Sequence, residues 1–156
     1  MEELAAGNLD LVSSDHCGYD AETRALGQNN FTLIPQGVTG VQERLGVVYQ
    51  KGVVESSLPM TKFVEVTSSK AAKLLNLFPQ KGHIGEGSDA DIVIWSKDAG
   101  STPSTIKGGE FNIFSGLSML AGPEIVIFGG KIVVAEKQMN APRGQGRFIE
   151  AWPSDY

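Results

Sequence analysis

Apolar positions along the chain change period twice, and the changes set out its elements. Met1 to Ala6 has the pattern of the last turns of a helix, closed by the stop residues Gly7 and Asn8. Leu9 to Ser14 follows as a short strand with Leu11 and Val12 as its apolar part, and it delivers Asp15, His16 and Cys17 at its C-terminal end. Gly18 to Gly37 interleaves Gly, Asn, Gln, Thr and Pro and predicts a long loop, with one helical turn over Ala21 to Leu26. From Val38 the helical spacing of Val38, Val41, Leu45 and Val48 predicts an amphipathic helix to about Lys51, with Gln42, Glu43 and Arg44 on another face. A short helical stretch is expected around Thr61 to Glu65. A third helix is expected after the N-cap hydroxyls of Thr67-Ser68-Ser69, where Ala71, Leu74, Leu75 and Phe78 form the apolar face, Lys70 and Lys73 the solvated one, and Pro79 the end.

From Gly82 the pattern is that of strands. Gly82, Gly85 and Gly87 punctuate short runs, and the bulky, β-branched Ile92-Val93-Ile94-Trp95 predicts a strand. Glu124 to Phe128 and Lys131 to Ala135 flank Gly129-Gly130, the signature of a two-residue hairpin. Ile106 to Phe114 suits a weaker strand, and the chain from Ala141 reads as an extended tail whose Trp152, Pro153 and Tyr156 are suited to docking. A single strand, Leu9 to Ser14, cannot make a sheet among helices. Its backbone donors and acceptors need partners if buried, so it is expected to belong to a sheet whose other members are absent.

Composition narrows the classes of function. The 156 residues are 41% hydrophobic, enough for one core, and 13 Lys and Arg against 18 Asp and Glu give a net charge of −5, which argues against nucleic acid. No run approaches the roughly 20 apolar residues of a membrane span, and Met1 to Gly7 lacks the pattern of a secretory leader. The single cysteine cannot form an internal disulfide, so a cytoplasmic protein without a membrane partner is expected.

Candidate chemistry is sparse. A carboxylate at the end of a strand, such as Asp15, suits metal binding or proton transfer to and from water, and it equally suits a turn or cap. A catalytic zinc generally takes three protein ligands, whereas only two histidines, His16 and His83, are present; His83 is expected on an exposed strand. Cys17 as a nucleophile would need a base, but on a strand the adjacent His16 points to the opposite face, so a buried small residue is the better reading. Gly82-x-x-Gly85-x-Gly87 has the spacing of a turn rather than of a dinucleotide site. Gln36, between Pro35 and Gly37, is a solvent-facing loop residue taken alone, and Trp95 and Phe114 suit a core.

Several segments together carry a family resemblance. Ser14-Asp15-His16-Cys17, Asn30-Phe31-Thr32-Leu33-Ile34-Pro35-x-Gly37-Val38-x-Gly40-Val41-x-Glu43-Arg44, Phe63-Val64-x-Val66-Thr67-Ser68, Gly85-x-Gly87-Ser88-Asp89-Ala90-Asp91-Ile92-Val93-Ile94-Trp95, Phe111-Asn112-Ile113-Phe114 and Gly144-x-Gly146-Arg147-Phe148-Ile149 resemble the dihydropyrimidinase, hydantoinase and collapsin response mediator family of the amidohydrolase superfamily. The resemblance implies an α/β plus β architecture. Residues 1–81 would be the C-terminal end of a (βα)8 barrel, which alone takes about 250 residues, with Leu9 to Ser14 as its eighth strand. Residues 82–140 would supply strands of a composite β-sandwich, and residues 141–156 an extended tail.

It further implies a zinc-dependent hydrolase that opens cyclic ureides and imides such as dihydrouracil or hydantoins, working as a homotetramer. Two zinc ions would be bridged by a carbamylated lysine and hydroxide. Asp15 matches the strand-eight aspartate that binds one metal and shuttles the proton of the attacking hydroxide; the other ligands match nothing in this chain. Gln36 takes the place where the enzymes carry a substrate-binding asparagine and the mediator proteins a glutamate. The alternative is therefore a non-enzymatic, mediator-like scaffold of cytoskeletal or signalling assemblies. Many such proteins lack the aspartate, so Asp15 favours the enzyme, whereas Gln36 leaves the substrate open. With one metal ligand, these 156 residues alone are expected not to hydrolyse anything.

Overall fold

Glu2–Ala6 forms α1, and Gly7 closes it in the left-handed region at φ 81°. The computed structural model describes residues 1–101 and 112–151. After α1, residues 9–14 join no strand ladder among the described residues. Val12 instead donates its N–H to the helical carbonyl of Val66 (2.9 Å), and the Val12 carbonyl accepts from the Arg44 guanidinium (3.1 Å). With no neighbouring strand among the described residues, the backbone groups of this segment take helix and side-chain partners.

Ala21–Ala25 forms α2, capped by the Asp20 carboxylate, which accepts from the Thr23 N–H at 2.7 Å. The helix expected from Val38 starts later. Val38 is used in an isolated parallel bridge to His16, and the helix comprises α3 (Arg44–Val48) followed by a π-helical segment (Tyr49–Val54). Val38 and Val41 are exposed, whereas Val48 and Tyr49 are buried.

The two helices expected between Thr61 and Phe78 are continuous: α4 (Met60–Val64), a π-helical segment (Glu65–Ser69) and α5 (Lys70–Leu74). The Thr67 hydroxyl donates back to the Phe63 carbonyl at 2.6 Å, bonding the preceding turn instead of capping a new helix. Asn76, not Pro79, ends the helix. It sits at φ 55° with its N–H on the Lys73 carbonyl, and the Leu77 N–H reaches the Ala72 carbonyl, which is a Schellman motif. The face expected to be buried is also corrected: Leu74 is 72% exposed and Leu75 58%, while Ala72 is buried where Gly82 passes over it. Lys70 pairs with Asp10 at 2.9 Å, and Lys73 lies over the Phe78 ring.

Among the described residues the second half forms a four-stranded antiparallel sheet in the order β1 (Ile92–Ser96), β2 (Gly122–Phe128), β3 (Lys131–Ala135) and β4 (Gln138–Met139). Ile92 pairs with Ile127 and Phe128 with Lys131. Gly129 and Gly130 turn the expected hairpin at φ 55° and 78°. Of the weaker strand expected over 106–114, residues 106–111 lie outside the described residues, as do Trp152, Pro153 and Tyr156 of the tail. Residues 112–114 enter a turn instead of a strand. His83 is exposed as expected but lies in a loop.

Helices and sheet meet in one core of Leu4, Val48, Tyr49, Leu58, Phe63, Val66 and Ala121, against which Val12, Val53 and Trp95 pack. Tyr49, Phe63 and Trp95 form an aromatic trio with centroids 5.2–5.7 Å apart, joining both long helices to β1. Phe114 is half-buried away from this trio, along a small cavity beside Ser14. Among the described residues no helix is long and apolar enough to cross a membrane.

Candidate functional site

Two segments some twenty residues apart are stitched together at one bridge. His16 pairs in parallel with Val38, and the Cys17 N–H donates to the Val38 carbonyl at 2.9 Å. Because the bridge is parallel, Asp15, one residue before His16, and Gln36, two residues before Val38, both lie on its N-terminal side. Both are exposed. Asp15 holds φ at 40°, a left-handed conformation that Asp tolerates better than most residues and that merits functional scrutiny.

The Gln36 loop is fastened at several points. Asn30 caps the 3₁₀ turn Phe31–Leu33 through Thr32, and Gly37 at φ 99° lets the backbone pass directly over the Cys17 side chain. The Gly37 carbonyl accepts from the Arg24 guanidinium at 2.9 Å. Cys17 is thus a half-buried packing residue, in keeping with its sequence reading.

His16 has a clear local task. Its Nδ1 accepts from the backbone N–H groups of Gly40 (3.1 Å) and Val41 (3.3 Å), so this nitrogen is unprotonated and the proton of the neutral ring sits on Nε2. Gly40 in turn starts the next helix, its carbonyl accepting from the Arg44 N–H at 2.9 Å. The loop that ends in Asp15 is thereby tied to the N-terminal end of a helix built on the core.

Sequence reasoning missed the largest fully buried side chain among the described residues. Glu43, placed on a polar helix face by its spacing, is 1% exposed; its Oε1 accepts from the Asn112 amide at 2.8 Å, and Asn112 is itself 5% exposed. The Asn112 Oδ1 accepts from the Phe114 N–H at 2.9 Å. Nothing in the local pattern marks Glu43 as buried, because its partner lies 69 residues away.

A second polar cluster is built around Lys81. Lys81 pairs with Asp89 (2.9 Å) and Asp91, Arg147 approaches Asp89 at 3.4 Å, and the Asp91 carboxylate accepts from the Gly129 N–H at 2.8 Å. Hydrogen bonding from Lys81 holds the Asp89 carboxyl below its ordinary value, and Asp91 chiefly raises Lys81. The cluster borders an open groove of about 410 Å³ between Phe63 and β1, and its cation and carboxylates are spent on one another.

Among the described residues no group of three or more His, Cys, Asp and Glu is placed to hold a metal ion. Asp15 therefore offers a carboxylate that belongs to no such group among the described residues.

Comparison with known proteins bears on what such a site belongs to. The amidohydrolase family profile matches residues 2–133. The chain is 45% identical to dihydropyrimidinase 2 of Caenorhabditis elegans over 98% of its own length and 30% of that protein's. It is 40% identical to human dihydropyrimidinase-related protein 5, covering 95% of the chain and 27% of the relative. Among solved structures, a D-hydantoinase (dihydropyrimidinase) from Thermus sp. superposes with a TM-score of 0.88 at 37% identity, over 94% of this chain and 32% of that one. The chain thus spans about three tenths of the length of the relatives it matches.

Proposed function

The chain belongs to the amidohydrolase family, and on that premise we propose that it is the C-terminal part of a zinc-dependent, dihydropyrimidinase-like hydrolase that opens the C–N amide bond of cyclic ureides and imides such as dihydrouracil or hydantoins. The observation that supports the reading is the parallel His16–Val38 bridge, which joins the segment that carries Asp15 to the segment that carries Gln36. In this reading residues 1–81 close a (βα)8 barrel with Leu9 to Ser14 as its last strand, 82–140 contribute to a β-sandwich, and 141–156 form an extended tail. The complete protein works as a cytoplasmic homotetramer.

Hydrolysis of a cyclic amide adds water across the carbonyl, breaks the C–N bond and moves one proton from the water to the leaving nitrogen. Asp15 is suited to that proton. Its carboxylate is exposed, and its backbone is fixed by the His16 anchor, so it can accept the proton from water and return it to the ring nitrogen without reorganising. Gln36 offers a donor and an acceptor on one amide, which matches the alternating C=O and N–H of a ureide. Zinc would supply hydroxide at neutral pH. Asp15 would be a donor to it, and among the described residues no group of three or more His, Cys, Asp and Glu forms the rest of its site.

Gln36 favours a second reading, a mediator-like scaffold, since the residue is not the asparagine of the enzymes; the similarity to dihydropyrimidinase-related protein 5 agrees with it. Assay of the full-length gene product, loaded with zinc, on dihydrouracil and hydantoin decides between them. Ring opening that falls by about 10²–10⁴-fold in Asp15→Asn, with an unchanged melting curve, is the expected result. A folded, zinc-loaded protein inert on both rings would instead establish the scaffold.

A further inference from the structure

Glu43 has the features of a group retained for geometry. It is a carboxylate 1% exposed, with one hydrogen bond, from Asn112, and its Oε2 is buried without a partner among the described residues. Burying a carboxylate so incompletely is costly, and a hydrophobic side chain of similar volume would often be as stable. Its position suggests what the cost supports. The Glu43 carbonyl accepts from the Val47 N–H and the Gly40 carbonyl from the Arg44 N–H, so Glu43 lies in the first turn that orients Gly40.

Through Asn112 the carboxylate also fixes the Phe114 backbone, and the Phe114 ring stands over Gly40, where a Cβ would lie 4.0 Å from its Cε2. Gly40 and Val41 hold His16 Nδ1, and His16 follows Asp15 in the chain. Two routes from one buried carboxylate, along its own helix turn and through Asn112 and Phe114, therefore converge on the amides that fix the Asp15–His16 loop.

We propose that Glu43 is a positioning residue for the Asp15 site: its buried carboxylate, held by Asn112, sets the Gly40 and Val41 amides that anchor His16. It touches no substrate. The effect on turnover rests on the hydrolase reading above, whereas the effect on His16 does not. The test uses the full-length gene product labelled with ¹⁵N-histidine, with the His16 signals assigned by their loss in His16→Gln. In the unaltered protein His16 Nδ1 should give the signal of an unprotonated acceptor nitrogen. Glu43→Leu should shift it toward the tautomer mixture of a free imidazole, and Glu43→Gln, which keeps an acceptor for Asn112, should restore the original signal.

If the protein is a hydrolase, kcat in Glu43→Leu should fall roughly tenfold or more with KM within about twofold, since a misplacement near 1 Å costs up to about 10². Phe114→Leu cuts the same route at a half-buried position and should shift the His16 signal even where Glu43→Leu does not fold. Folded variants of both residues with unmoved His16 signals would overturn the proposal. A protein that opens no ring, yet whose His16 signal moves, would overturn the hydrolase reading and leave this one standing.

Discussion

Gly37 lies so close over Cys17 that a Cβ on it would stand 2.6 Å from the sulfur, and its φ of 99° is one that side chains rarely adopt. Both constraints act on the residue after Gln36, so the loop can reach the His16–Val38 bridge only with glycine here. Gly37→Ala should cost about 1–3 kcal/mol of stability through strain alone, with the contact adding to it. Thermal unfolding of Gly37→Ala, Cys17→Ala and the double variant separates the two. Removing the sulfur should recover only part of the contact, because the Cys17 Cβ that alanine keeps stands 2.7 Å from the same point, and none of the backbone part, giving a small favourable interaction energy in the cycle. Strict additivity would mean that the Cys17 contact does not constrain the loop.

Local chemistry explains which of these features could be read in advance. The Gly129-Gly130 hairpin was legible because glycine advertises positive φ, and the α1 stop at Gly7 was legible for the same reason. The strand expected over Leu9 to Ser14 has the right residues, but strands exist only as pairs, and here Val66 and Arg44 take the backbone groups of Val12. The π-helical segments and the Asn76 ending shift helix phase in ways that a fixed 3.6-residue period cannot anticipate. At the site, Asp15 and Gln36 could be singled out separately, whereas their common bridge and the burial of Glu43 depend on contacts 22 to 69 residues away in sequence.

The turn between β3 and β4 is made by residues that dislike it. Glu136 and Lys137 sit at φ 51° and 61°, the pair of left-handed conformations of a type I′ turn, for which Asn-Gly is the favoured sequence. Replacing them by Asn and Gly should raise stability by about 1 kcal/mol, by removing backbone strain without touching a core contact. A melting temperature that falls in the Glu136→Asn/Lys137→Gly variant would show that the side chains contribute more than the strain costs.

The Lys81 cluster should make stability depend on pH at both extremes. Asp89 is held below its ordinary value by Lys81 first, with Gln80 and Arg147 adding, so its contribution is complete above the unfolded value of about 4 and is lost as pH falls through the lower folded one. Lys81 is raised, chiefly by Asp91, so its contribution is complete below about 10.4 and is lost as pH rises through the higher folded value. Urea unfolding of the protein and of Lys81→Met at a series of pH values should give a difference that is constant from about pH 5 to 10 and shrinks on either side. A difference that does not change down to pH 2 would mean that the ion pairs add nothing to folding.

Gln36 is the residue that best reveals what the site is tuned for, because its amide sits one methylene further from the backbone than that of the asparagine expected from the family resemblance. The loop cannot absorb the extra length. Gly37 is pinned over Cys17 and to Arg24, and Asn30 caps the turn before it. The amide therefore sits about 1 Å further from the backbone, a displacement of the size that costs up to about 10²-fold in rate when the ring is one for which asparagine is optimal. On the hydrolase reading, Gln36→Asn in the full-length protein should raise kcat/KM for dihydrouracil by about ten- to a hundredfold and leave the melting temperature unchanged, since Gln36 is exposed. If Gln36→Asn instead lowers kcat/KM on dihydrouracil while the protein stays folded, the longer amide is adapted to a smaller or more recessed ring. The hydantoin series, one ring atom smaller, is then the substrate class to assay next.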